Sequence, residues 1–247
     1  MKIAIIGGTG FGEALVAGAP ETIGTEYGEA QVTRGTLDTA EGGRELIFLA
    51  RHGPGHRLPP HRINHRANIA ALRNLGVQAV FATAAVGSLR VEIAPGDFVL
   101  LDDFLDLTKG ETTTFFDAPG NVRHTDFVQA FDAELRAVLL REAALESQAH
   151  LHPTGTYLCV SGPRYETPAE VRLFAQWGAD VVGMTVAPEA ILCREASLPY
   201  AAVALATNYG SGLLDAVPLA HSEVESRMAD ARPALAAWLL RAAGRIA

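Results

Sequence analysis

The run Thr156-Tyr157-Leu158-Cys159-Val160-Ser161-Gly162-Pro163-Arg164-Tyr165-Glu166-Thr167-Pro168-Ala169-Glu170 decides the fold class. It opens with a short apolar stretch, as a buried strand does. A loop punctuated by Gly162 and Pro163 follows. Thr167 then carries the marks of a helix N-cap, with Pro168 at the first helical position and Glu170 three residues after the cap. A buried strand that hands over to a capped helix is the repeating unit of an α/β protein.

The same alternation extends in both directions. Lys2 to Ile6 reads as a strand running into Gly7-Gly8-Thr9-Gly10-Phe11-Gly12. A second apolar run, Leu46 to Ala50, ends at Arg51-His52-Gly53. A helix around His65 to Leu75 is closed by Gly76. Val77 to Thr83 is the next strand, ending at Ala84-Ala85-Val86-Gly87-Ser88. Asp97 to Asp102 is predicted as a strand and Asp126 to Ser147 as an amphipathic helix. The helix capped by Thr167 ends at Gly178. A strand over Asp180 to Met184, a helix over Pro188 to Ala196 and a strand over Tyr200 to Thr207 follow. Ser222-Glu223-Val224-Glu225 is a second capping-box pattern, opening a last helix toward Ala243. The expected architecture is α/β: a single domain over residues 1–247 with a mixed, mostly parallel sheet covered by helices.

Composition narrows the function classes. The chain has 247 residues, enough for one well-packed α/β domain and short for two. Its formal charge of −8 argues against a nucleic-acid surface, which needs a basic stripe. An anionic ligand must therefore be met by a local site. Cys159 and Cys193 lie in apolar runs and read as buried free thiols, which fits a cytoplasmic protein. Met1 to Ile6 is too short for a signal peptide. No run approaches the roughly 20 apolar residues of a membrane span.

In sheets of this kind ligands gather at the carboxyl ends of strands. Thr9, Arg51, His52, Ala84, Glu166, Met184, Thr185 and Asn208 are all placed there by the strand assignment. The glycine-rich turn does not fit the dinucleotide spacing, because Glu13 or Leu15 stands where the third glycine belongs. It reads either as a structural turn or as one whose amides and Thr9 hydroxyl hold a single phosphate. Arg51 offers a planar fork for phosphate oxygens and His52 a directed N–H. His52, His56, His61 and His65 raise the question of a metal, but Pro59 and Pro60 break any helix between the pairs, and no metal is expected. Tyr165 presents an aromatic face beside Glu166. The helix amides that follow Glu166 favour its ionised form, an acceptor only, suited to the N1–H of a 6-oxopurine. Asn208 carries both donor and acceptor and can serve N7 and O6 together.

These motifs resemble the trimeric nucleoside phosphorylase family, in the branch that contains methylthioadenosine phosphorylase. The resemblance spans the chain and is carried by Arg51-His52-Gly53, Asn68-Ile69-Ala70-Ala71-Leu72, Val86-Gly87-Ser88-Leu89, Gly162-Pro163-Arg164-Tyr165 and Gly178 to Thr185. It implies a phosphate site of Thr9, Arg51, His52, Ala84, Ala85 and Thr185. It further implies Met184 under the ribose, Tyr165 on the base, and Asn208, Tyr209 and Gly210 as the base-reading segment. His124 is implied as a residue lent to the neighbouring subunit's site in a homotrimer or dimer of trimers. Asn208, Glu166 and His221 depart from the adenine-specific members and resemble the inosine- and guanosine-cleaving relatives. Ala84 stands where a hydroxyl residue is common.

The resemblance thus implies phosphorolysis of 6-oxopurine nucleosides in purine salvage, with inorganic phosphate as co-substrate and no cofactor. The expected partners are a purine nucleoside and phosphate, with neither nucleic acid nor membrane. The alternatives are a methylthioinosine or methylthioadenosine phosphorylase and, in a different class, a non-enzymatic module that binds purine nucleosides or phosphate. The 5′ substituent divides the first of these: a methylthio group needs an apolar pocket, a hydroxyl a partner such as His221.

Overall fold

The structure is a computed structural model and describes all residues except 9, 10, 12–14, 17, 40, 41, 54, 144–149, 215–220 and 247. Among the described residues eleven strands make one sheet. Its centre is built from β1 (Lys2–Gly7), β4 (Gly42–Ala50), β5 (Ala79–Ser88) and β11 (Tyr200–Tyr209), which pair in parallel. On one side β2 (Glu21–Thr25) and β3 (Gly28–Thr39) add an antiparallel meander to β4. On the other side lie β7 (Asp103–Asp106), β9 (Thr156–Cys159) and β10 (Val181–Gly183), parallel to one another. Two short strands, β6 (Phe98–Leu100) and β8 (Leu151–His152), extend from β11.

Side chains on a strand alternate between faces, and β11 shows it. Ala202, Ala204 and Ala206 join a core with α1 (His65–Asn74) and α4 (Val186–Glu195). Ala201, Val203 and Leu205 join a second core with α2 (Ala133–Arg141) and α5 (His221–Gly244). The small alanines let α4 pack close to the sheet. A third cluster seats α3 (Pro168–Gln176) through Val171 and Phe174 on Leu158 and Val182.

The partner exchange along β5 positions the site. β1 pairs with Ala79 to Ala82 of β5 and then ends. β10 pairs antiparallel with Gly87 and Ser88, running the opposite way. The carboxyl ends of β1 and β10 therefore approach each other along one edge of β5, across residues 83–86. A cleft is the necessary result.

The helix at Thr167 forms as its sequence dictates. The Thr167 hydroxyl accepts from the Glu170 amide, and Glu170 accepts from the Thr167 amide, a complete capping box. The predicted helix over Asp126 to Ser147 is corrected: α2 occupies only Ala133–Arg141, and residues 144–149 lie outside the described part. Asp132 caps α2 by accepting from the Leu135 amide, which ends any continuation toward Asp126. Phe127 and Phe131 pack edge-on against Phe104 instead, so tertiary aromatic contacts override the local period. The antiparallel β2–β3 pair had no counterpart in the sequence reading.

Gly183 closes β10 where a Cβ would collide with the Tyr157 hydroxyl and ring. Tyr157 is fully buried and its hydroxyl accepts from the Thr185 amide at 3.1 Å, so it cannot withdraw freely. Gly183→Ala is expected to destabilise the protein by about 1–3 kcal/mol. A urea midpoint equal to wild type, at unchanged slope, would contradict this.

Candidate active site

The cleft beside β5 holds a cavity of about 130 Å³. Its wall includes Gly8, Arg51, His52, Thr83, Ala85, Met184 and Thr185. Tyr165, Glu166, Asn208, Val224 and Met228 complete the surroundings. A larger cavity of about 540 Å³ shares Gly8, His52 and His56 with it. Segments distant in sequence are thus brought to one place.

Arg51 follows β4 and is almost fully buried, at 2% exposure. Its Nε and Nη2 donate to the two carboxylate oxygens of Glu189, the second at 2.8 Å. Its Nη1 donates to the Thr83 carbonyl at 2.8 Å. Burial alone would lower the guanidinium's pKa, but the Glu189 charge and hydrogen bonds more than offset this and raise it. Arg51 is therefore a permanent cation inside the protein.

His52 differs from its expected role. Its Nδ1 lies 2.8 Å from the Leu58 carbonyl. A carbonyl only accepts, so Nδ1 carries the proton. Burial, then the Arg51 charge, lowers the imidazole pKa to about 3. In the neutral ring Nε2 is then an acceptor. The N–H expected for phosphate is committed to Leu58, and the ring stacks on His56 at 4.0 Å between centroids.

Thr185 is the N-cap residue of α4, yet its side chain makes no capping bond. Its hydroxyl is thereby left for the cavity, at a helix N-terminus that favours anions. Met184 stands beside it, half-buried. Gly162 has φ +65°, and a Cβ there would collide with Met184. This glycine lets the Ser161-to-Glu166 loop close over Met184.

Glu166 is 9% exposed. The sequence reading had the following helix amides favouring its ionised form. The structure reverses the balance: burial raises the carboxyl pKa, with only partial opposition from its own backbone N–H and from Arg164. Asn208 sits at a bulge, where the register of β11 against β5 shifts between Ala206 and Asn208. Bulges re-aim side chains next to sites. The Thr207 hydroxyl lies 2.9 Å from Asn208 Oδ1, and Asn208 Nδ2 donates to the Tyr209 carbonyl at 2.9 Å.

Other expected residues are placed elsewhere. The Ala84 side chain packs into the core, while Thr83 and Ala85, its neighbours on the opposite face, line the cavity. Tyr209 and Gly210 do not line it; the Tyr209 hydroxyl reaches the Val91 carbonyl at 3.3 Å, and the Gly210 amide donates to Ser88. Thr9 and the side chain of His221 lie outside the described residues. His124 is exposed and lines a separate cavity of about 400 Å³ with Arg123, Asp126, Arg194 and Tyr200. Among the described residues no group of three or more His, Cys, Asp or Glu side chains is placed to hold a metal. The sequence reading missed Glu189, Thr83, Val224 and Met228. Glu189 could have been found as the one charge in the otherwise apolar run Val186 to Cys193. Nothing local marks Thr83.

Residues 2–243 match the phosphorylase superfamily. The chain belongs to this superfamily. It is 48% identical, over 91% of its length and 84% of the relative's, to a probable 6-oxopurine nucleoside phosphorylase of Dictyoglomus turgidum. It is 46% identical, over 92% of its length and 86% of the relative's, to the 6-oxopurine nucleoside phosphorylase of Pyrococcus furiosus. Among solved structures it is similar to methylthioadenosine phosphorylase from Schistosoma mansoni in complex with adenine. The TM-score is 0.89 at 29% identity, covering 98% of this chain and 90% of that one.

The neutral state of His52 is directly measurable. Its imidazole should show no titration between pH 5 and 8, with the Nδ1–H tautomer throughout. A nitrogen-15 resonance of His52 titrating near the ordinary histidine value of about 6.5 would refute the assignment.

Proposed function

We propose that this protein is a purine nucleoside phosphorylase for 6-oxopurine nucleosides, converting inosine or guanosine and phosphate to free base and ribose 1-phosphate. The observation that carries the reading is one cavity wall holding both an anion-binding set and a base-reading pair. Arg51, Thr185 and the start of α4 form the first; Glu166 and Asn208 form the second. A module that only bound a nucleoside would have no use for an anion set converging on the same cavity. The relatives named as 6-oxopurine nucleoside phosphorylases, at 46–48% identity, support the same base class, while a relative at 47% identity is named as an S-methyl-5′-thioadenosine phosphorylase.

In the reaction the C1′–N9 bond loosens toward an oxocarbenium-like state. Phosphate, held by Arg51 and Thr185 with the amide of Ala85, attacks C1′ from the opposite face. Thr9 belongs to this set by resemblance, and His52 enters as an acceptor. The bonding electrons pass into the purine, where Asn208 donates toward N7 or O6 and Glu166 accepts from N1–H. Tyr165 packs on the base and Met184 under the ribose. No metal or organic cofactor is needed, since the barrier is lowered by positioning and preorganised electrostatics.

A second reading, a methylthioinosine or methylthioadenosine phosphorylase, turns first on the 5′ position. Val224 and Met228 of α5 give the cavity an apolar side, which suits a methylthio group as well as a ribose edge. Probable S-methyl-5′-thioinosine phosphorylases are also similar to this chain, at 40–42% identity.

Base release from inosine should require phosphate; equal release without it would overturn phosphorolysis. Inosine and guanosine should exceed adenosine and methylthioadenosine by on the order of 100-fold in kcat/KM, because the adenine pattern leaves two buried polar groups unpaired. Asn208→Asp should move this ratio toward adenine nucleosides. Methylthioadenosine cleaved by the wild type as efficiently as inosine would overturn the base assignment.

We also propose a homotrimer or dimer of trimers in which His124 completes a neighbouring site. The exposed position of His124, away from its own chain's cleft, supports this. Sedimentation of a fully active monomer at assay concentration would refute it.

A further inference from the structure

Glu189 carries a formal charge in the first turns of α4 and is 1% exposed. It faces Arg51, which is 2% exposed. A buried ion pair is a weak device for stability, since apolar residues of similar volume do as well or better. Its presence beside an anion site calls for a different explanation.

The hydrogen bonds supply one. A guanidinium has five N–H groups in a rigid plane. Nε and Nη2 of Arg51 each give one to Glu189, and Nη1 gives one to the Thr83 carbonyl. One N–H on each terminal nitrogen remains. The bidentate grip fixes the plane of the fork, so the direction of these two remaining donors is set by Glu189. Glu189 is itself held from behind. The Tyr200 hydroxyl, on β11, donates to its Oε2 at 2.9 Å. Burial and the Glu189 charge raise the Tyr200 pKa well above the ordinary phenol value, so this donor keeps its proton. β4, α4, β5 and β11 thus converge on one side chain.

We propose that Glu189, braced by Tyr200, is a positioning residue that aims the two remaining N–H groups of Arg51 at the phosphate attacking C1′. The proposal rests on the phosphorylase reading above. It differs from simple charge cancellation, in which Glu189 would only make the buried cation tolerable. Cancellation needs a negative charge; positioning needs the carboxylate at its present reach.

Three variants separate these roles. Glu189→Gln keeps the shape but turns an amide N–H toward an Arg51 N–H. Glu189→Asp keeps the charge but falls one carbon short. Tyr200→Phe removes only the brace. Each is assayed for kcat and for KM of phosphate and inosine, with hypoxanthine dissociation measured by calorimetry without phosphate.

Positioning predicts that Glu189→Gln and Glu189→Asp both lose at least about tenfold in kcat/KM for phosphate, because misaimed groups lose near-attack geometry. Tyr200→Phe should lose about threefold, less than the full effect of a hydrogen bond to a charged group because the brace acts through Glu189. Hypoxanthine dissociation should stay within about twofold in all three, which a general loosening of the fold would not allow. A Glu189→Asp enzyme equal to wild type overturns the proposal in favour of charge cancellation, and a Glu189→Gln enzyme with equal or higher kcat/KM for phosphate overturns it outright. If both Glu189 variants fail to fold, Tyr200→Phe decides: an unchanged kcat/KM for phosphate overturns the proposal. Arg51→Ala is the control for the underlying reading. If its phosphate KM is unchanged, the assignment of Arg51 to phosphate fails and this inference falls with it.

Discussion

The exchange of partners along β5 is the constraint from which the rest follows. A strand that loses one neighbour at Ala82 and gains another at Gly87 has an interrupted edge in the middle of a covered sheet. Backbone groups in such a place must find other partners. The Thr83 carbonyl, one residue beyond the last pair with β1, is taken by Arg51 Nη1. The interruption therefore both opens the cavity and recruits the cation that lines it. Because β10 runs antiparallel to β5, its carboxyl end returns Met184 and Thr185 to the same gap. A purely parallel sheet would have carried them away from it.

An interior cation is tolerated only when its hydrogen bonds and charge are met. Glu189 meets the charge, and Tyr200 meets one of the remaining lone pairs of Glu189. The surroundings of this pair are correspondingly inert. His65, 4% exposed, has neither ring nitrogen hydrogen-bonded among the described residues. Burial and the Arg51 charge lower its pKa to about 4 despite the pull of Glu189. It remains a neutral packing group at neutral pH, as does His52. Of the four histidines from His52 to His65, these two are held neutral by burial next to a fixed positive charge, whereas His61 is exposed.

Local chemistry made much of this legible in the sequence. The Thr167 capping box formed as its residues require, and Gly76 and Gly178 follow helix ends with φ of +74° and +88°. Arg51, Glu166, Met184, Thr185 and Asn208 were placed at strand ends and meet in one cavity. What stayed hidden depends on partners distant in the chain. The β2–β3 meander is set by its pairing with β4. The Asp126 region has a helical period but is claimed by aromatic packing on Phe104. Thr83 faces the cavity while Ala84 faces the core, because pairing with β1 and β11 fixes the phase of β5. Strand ends can be read from sequence, whereas the phase of a strand buried on both faces cannot.

In the proposed function, the environment of Glu166 ties the choice of base to the protonation state of its carboxyl. Burial disfavours its carboxylate, and no strong donor offsets this. A 6-oxopurine brings an N1–H that satisfies the ionised form, so binding and ionisation reinforce each other. Adenine brings a lone pair instead, which repels the ionised form and is met only by the O–H of the protonated one. The contrast with Glu170 fits this view. Glu170 is gripped by Arg164 through both oxygens at 2.7 Å, and its pKa is lowered to about 2. Four residues apart, one carboxyl is satisfied by the protein and serves the helix cap. The other is left without such a partner in the cavity, where a ligand can supply what the fold withholds.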